Sequence, residues 1–264
     1  MTALDDENNG DEKGNKSFLD HLDDLRSMLL WSLVSVIVGM LIAIPLSPFI
    51  FKLLSIPLIH ALKDPAMKYA KDPESILQGG DFMGLLTMAL STIFWTGLII
   101  SMPFVLYFVS RFVFPGLKKK ERDAVLGSLG FATILFVIGI AVGCQLLGVT
   151  IKWMFLIGSI YGIKMDFILA SAYVGFVLKF LLALGLAFEY PVVVIALWKI
   201  GLITFDFIKS KRRHMFVIML IVSGLITPTV DPATQFMLAI PLYVLYEICI
   251  AIIWLMERGT ASKA

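Results

Sequence analysis

Long runs without a single Asp, Glu, Lys or Arg set the frame of this chain. Met28 to Leu46, Phe82 to Ser110 and Ala124 to Ile151 carry none, and Phe167 to Leu197 carries only Lys179 and Glu189. A bilayer core about 30 Å thick takes about 20 apolar residues per helix, so each run predicts a membrane span. Two further runs are weaker signals. His214 to Thr227 makes a helix of roughly 21 Å, and Phe236 to Met256 is interrupted by Glu247. With both counted, the pattern predicts an all-α polytopic membrane protein of six spans, whose short members thin the bilayer or pack on neighbours.

The segments between the runs have their own character. Pro45, Pro48, Pro57, Pro65 and Pro73 fall in or beside the stretch from Ser47 to Asp81. They predict short helices and turns capping one face of the bundle. Lys152 to Lys164 places eleven uncharged residues, Trp153 and Tyr161 among them, between two lysines. That suits an interfacial or re-entrant piece rather than a seventh span. Residues 1–17 combine five acids with no apolar run, which predicts a disordered acidic tail and not a signal peptide. The membrane domain is expected over 18–258, with a short tail over 259–264.

Charge placement adds an orientation. With the N-terminus cytoplasmic, fifteen of the 22 Lys and Arg fall in inner segments and six in outer ones, with Lys179 inside a span. The excess of positive charge inside therefore predicts that both termini are cytoplasmic. Composition agrees with the class: 59% of residues are hydrophobic and 16% charged, leaving too little polar sequence for an aqueous domain. Cys144 and Cys249 lie in apolar runs and act as small hydrophobes.

The candidate chemistry concentrates at the predicted water boundary. From Phe18 to Leu30 a helix bearing Asp20, His21, Asp23, Asp24 and Arg26 runs directly into the first span. Phe18, Leu22, Leu25 and Leu29 form one stripe, with Asp20 and Asp24 four residues apart on the opposite face. Such a face suits a cation, although a solvated first turn would look the same. Glu121 sits in a basic stretch, Arg111 to Arg122, where its neighbours could pair with it or where bundle packing could bring it to the same surface as Asp24.

Ionisable residues at membrane depth are costly, so Glu189, Lys179 and Glu247 are functional candidates. Glu189 lies in F-E-Y-P, where Pro191 frees a backbone carbonyl nearby. Lys179 is ten residues earlier, near the outer side, where its stem could snorkel. Glu247 could equally make a helix-to-helix hydrogen bond. The competing class is a proton-coupled small-solute transporter with these three residues along its path. It would need repeats, broken helices or an aqueous site, and none is evident.

Six ordered motifs resemble the TatC family, the receptor component of the twin-arginine translocase. They are F-L-D-H-L-D-D-L-R from Phe18, S-I-P-L-I from Ser55, F-V-F-P-G-L-K-K-K-E-R from Phe112, F-V-L-K-F-L-L-A-L-G-L-A-F-E-Y-P from Phe176, T-P-T-V-D-P-A-T-Q from Thr227 and A-I-P-L-Y-V-L-Y-E-I from Ala239. The resemblance implies a cup-shaped six-helix protein of the bacterial plasma membrane that exports folded proteins using the proton-motive force. It implies no enzyme activity, no cofactor, no metal and no nucleic acid. Its partners would be twin-arginine signal peptides, single-span proteins of the TatA and TatB type, the lipid bilayer and further copies in an oligomer. By the same resemblance Asp24 and Glu121 would bind the paired arginines, with His21, Arg26 and Phe112 beside them. Glu189 would serve intramembrane docking, for which Lys179 and Glu247 are candidates from their depth alone, and Pro57, Asp231 and Gln235 would serve assembly. One departure stands out: Asp24 occupies a position where the family usually has Glu.

Overall fold

The structure is a computed structural model that describes residues 18–63, 76–113, 119–163, 167–199, 201–226 and 232–261. Eight helices make up nearly all of it: α1 (Phe18–Leu62), α2 (Phe82–Val113), α3 (Lys119–Ile160), α4 (Ala170–Ala187), α5 (Tyr190–Lys199), α6 (Phe205–Ser210), α7 (Arg212–Ile226) and α8 (Pro232–Ala261). Two-residue strands, β1 (Leu77–Gln78) and β2 (Ile168–Leu169), pair in parallel with Leu77 opposite Ile168. Five stretches are long and apolar enough to cross a membrane: His21–Leu62, Phe82–Phe112, Gly130–Ile160, Ala170–Lys199 and Gln235–Arg258. The expected fifth run forms α7, whose 15 residues reach roughly 22 Å. Six helical runs are thus present, five of them of full spanning length.

The proline-rich stretch departs from expectation. Short helices and turns were expected after Ser47, yet α1 continues unbroken through Pro45, Pro48 and Pro57 to Leu62. At Pro48 the helix survives because the freed carbonyl finds another donor. Pro48 has no N–H for the Ile44 carbonyl, and the Ser47 hydroxyl donates there instead at 2.9 Å. Packing supplies the rest: Leu54, Leu58 and Ala61 are buried in one cluster with Leu147, Ile151 and Tyr173 of α3 and α4. The Tyr173 hydroxyl also donates to the Leu54 carbonyl at 2.7 Å. Likewise, Lys152 to Ile160 is not a re-entrant piece but the last turns of α3, held by buried Phe155. At the other terminus α8 continues past Arg258 to Ala261, while the expected acidic tail lies outside the described residues.

Close helix contact explains the antiparallel pairing of α1 and α2. A Cβ at Gly39 would collide with the Gly97 carbonyl oxygen, and one at Gly97 would lie 2.7 Å from the Met40 backbone. Only glycine at both positions allows this crossing, the small-residue contact that joins helices where the surrounding lipid is as apolar as their side chains. The outward faces fit that solvent. Leu33, Ile37, Leu41, Ile44 and Phe49 on α1 are all exposed. Burial is densest at the end of the bundle opposite Phe18, here the distal end, where α1, α3 and α4 meet.

Candidate functional site

At the N-terminal end, the first turns of α1 lie against the last turn of α2. The His21 ring stacks on Phe112 with centroids 4.7 Å apart and planes inclined by 21°, and Trp31 stacks on Phe108 at 6.2 Å further along. Asp24 follows His21 by one turn, so it shares that side of α1. It is half-buried and engaged within the chain, whereas Asp23 and Arg26 are exposed. Glu121 falls in the first turn of α3, although its side chain, like that of Asp20, lies outside the described residues. The fold therefore brings His21 and Phe112 together, with Asp24 one turn along the same helix. It places the start of α3 only a five-residue link beyond the end of α2.

Glu189 occupies the break between α4 and α5. The Glu189 carbonyl accepts from the N–H groups of Val192 and Val193 at 3.0 and 3.2 Å, so the chain turns there and restarts around Pro191, which needs no donor in a first helical turn. The span expected from Phe167 to Leu197 is present as one apolar stretch, Ala170–Lys199, built from two helices. The side chain is 6% exposed, and its Oε1 atom is buried with no hydrogen-bond partner among the described residues. A buried, unpaired carboxylate oxygen is costly, and native structures rarely tolerate one without a role.

Lys179 faces different surroundings. It lines a cavity of about 800 Å³ between α2, α4 and α7, with Ser91, Trp95, Gly175, Phe180 and Leu225 among the other walls. Its ammonium lies over the Trp95 ring, 5.4 Å from the centroid, a favourable cation–π distance.

Glu247 is held inside the chain. Arg212 at the start of α7 pairs with it at 3.0 Å, and the Tyr243 hydroxyl donates to its other oxygen at 2.9 Å. Sequence reasoning named neither partner, yet a signal existed: Arg212 and Glu247 are nearly equidistant from the turn between α7 and α8, so an antiparallel hairpin sets them level. Gln235 is also internal, its amide donating to the Leu220 carbonyl of α7 at 2.7 Å. Pro57 lies within α1, and Asp231 lies outside the described residues. A link that sequence reasoning missed joins α5 to α8, where the Trp198 indole donates to Glu257 at 3.3 Å.

Comparison with known proteins gives a consistent picture. A profile of the TatC family, described as Sec-independent protein translocase protein (TatC), matches residues 20–241. A Sec-independent protein translocase protein TatC of Akkermansia muciniphila is 36% identical over 68% of this chain and 51% of its own length. The match therefore spans about half of that relative. One from Deinococcus radiodurans is 30% identical over 90% of this chain and 85% of its own, and one from Campylobacter jejuni is 33% identical over 92% and 96%. A crystal structure of a twin arginine translocase receptor, TatC, superposes with a TM-score of 0.73 at 31% identity, covering 88% of this chain and 98% of the other.

Proposed function

The chain belongs to the TatC family of Sec-independent protein translocase proteins, and from that premise we propose that it is the receptor that binds twin-arginine signal peptides. The family consists of multi-pass bacterial inner-membrane proteins, translocase components rather than enzymes. In this reading the end of the bundle bearing Phe18 is cytoplasmic, α7 crosses a locally thinned bilayer as the fifth of six spans, and both termini lie inside.

The observation that carries the proposal is the stacking of His21 on Phe112 at one end of the bundle, with Asp24 one turn along α1 on the same side and the helix bearing Glu121 beginning after a short link. Two guanidiniums arriving there meet carboxylates from two helices. Arg offers a planar fork that bonds a carboxylate through two parallel N–H groups, and Lys has no such fork. The ring of Phe112 adds an apolar face beside the charges. A peptide with paired arginines is therefore bound better than its paired-lysine counterpart, and the hydrophobic part of the signal runs onward along the bundle.

Glu189 has a second part in this account. Its unpaired buried oxygen is the point at which an inserted signal segment or a single-span partner of the TatA or TatB type donates a hydrogen bond. Photo-crosslinking from positions 24, 121 and 189 to a twin-arginine precursor tests both parts. Positions 24 and 121 should capture the residues around the arginines, and position 189 the apolar segment or a partner helix. With the photoprobe moved to exposed Val193, one turn further along α5, capture should persist in Glu189→Gln and be lost in Glu189→Leu. Wild-type capture in the leucine variant would leave Glu189 a purely structural role.

A further inference from the structure

The cavity around Lys179 sits at the distal end, away from the peptide site, and its chemistry is mixed in a specific way. Its walls are mainly apolar, with Trp95, Phe176, Phe180 and Leu225 among the lining residues. Leu225 is 81% exposed, so this wall also meets the surrounding solvent, which for these helices is lipid. Lys179 is itself exposed, and no carboxylate pairs with it among the described residues. The hydroxyl-bearing Ser91 and Thr87 line the same space, one and two turns nearer the distal end of α2 than Trp95.

Depth decides what could neutralise the ammonium. The Tyr173 hydroxyl bonds the Leu54 carbonyl, which ties the distal part of α4 to the part of α1 that carries exposed Lys52. Lys179 lies six residues further along α4 than Tyr173, roughly 9 Å. With a stem that can extend several ångströms, the ammonium reaches the zone where headgroups meet hydrocarbon. An unpaired cation there, in a cavity that opens onto acyl chains, calls for an anion covalently joined to apolar chains.

We propose that this cavity binds an anionic membrane phospholipid, with the headgroup phosphate on Lys179 and one acyl chain along the apolar walls of α2, α4 and α7. The volume of about 800 Å³ falls within the range of small-molecule sites, roughly 300 to 1,000 Å³. Trp95 holds the ammonium in place before the lipid arrives, and Ser91 and Thr87 are donors for the remaining phosphate oxygens. The inference rests on the bundle spanning a membrane and not on its recognition of signal peptides.

Native mass spectrometry of the full chain in a neutral maltoside detergent tests it, with phosphatidylglycerol, a diacylglycerol of the same chains and inorganic phosphate as probes. Wild type should retain phosphatidylglycerol and neither of the other two. In Lys179→Gln that retention should fall about tenfold, the loss of one charge-assisted hydrogen bond, and Lys179→Arg should keep it. Equal retention of diacylglycerol, or of inorganic phosphate, by the wild type would overturn the proposal and needs no variant to be seen. So would full retention of phosphatidylglycerol by Lys179→Gln. A carboxylate-bearing membrane helix that crosslinks to position 179 in membranes, where a photoreactive phosphatidylglycerol does not, would assign the cavity to a protein partner instead.

Discussion

His21 and Phe112 stack face to face, 4.7 Å apart at their centroids, and so fix the first turns of α1 on the last turn of α2. The contact orients the side of α1 on which Asp24 lies one turn later. An aromatic contact of this kind contributes about 0.5–1.5 kcal/mol beyond burial. It acts on the site's geometry more than on the stability of the bundle.

Phe112→Ala should therefore weaken capture of a signal peptide at position 24 several-fold while leaving the thermal midpoint in detergent close to wild type. Phe112→Tyr should retain capture. Crosslinking yields from position 24 check this, and an unchanged yield in the alanine variant would remove the stack from the account.

Much of this architecture is legible in the sequence because uncharged runs of spanning length have few alternatives to helix. The boundaries are another matter. Proline reads as a stop, but the Pro48 defect is repaired by Ser47 one residue before it, and a local repair of that kind depends on a rotamer, not on composition. The Glu189 break went the other way. F-E-Y-P signalled a special backbone, while two separate helices with a carboxylate between them required knowing that both Val192 and Val193 bond the Glu189 carbonyl. Asp24 was legible as a candidate from its place before a span. Phe112 entered only through the family resemblance, and its stack on His21 was not legible from the residues, because positions 91 apart meet only once α1 and α2 pair at Gly39 and Gly97.

The pair of Arg212 and Glu247 should clamp the base of the α7–α8 hairpin. Both side chains are partly exposed, 44% and 35%, so their coupling is expected near the upper end for surface pairs, about 1 kcal/mol. Arg212→Met should lower the thermal midpoint in detergent, since it leaves Glu247 without its cation. Adding Glu247→Gln to that variant should recover part of the loss. A double-mutant cycle measures the coupling; purely additive effects would mean that the pair contributes nothing.

Because α7 has only 15 residues, its crossing is the most exposed part of the six-span account. Single cysteines at Lys209, before α7, and at Pro232, the first residue of α8, are both on exposed positions. In intact right-side-out vesicles an impermeant maleimide should modify position 232 and reach position 209 only after permeabilisation. Labelling of both from the same side would leave α7 on the surface and reduce the bundle to five spans.

The central claim is recognition of paired arginines by carboxylates at the N-terminal end. A hydrogen bond to a charged group contributes roughly 1.5–3 kcal/mol, so losing one should weaken binding by about ten- to a hundredfold. Its most direct test is the affinity of a fluorescent signal peptide for the purified protein in nanodiscs, in Arg-Arg and Lys-Lys versions. Wild type should prefer Arg-Arg, and Glu121→Ala should lose that preference. Asp24→Ala should lose less of it if a neighbouring Asp takes over, and Asp24→Glu should bind as well as wild type or better. If Glu121→Ala instead binds both peptides with wild-type affinity and preference, the arginine site is not where this account places it.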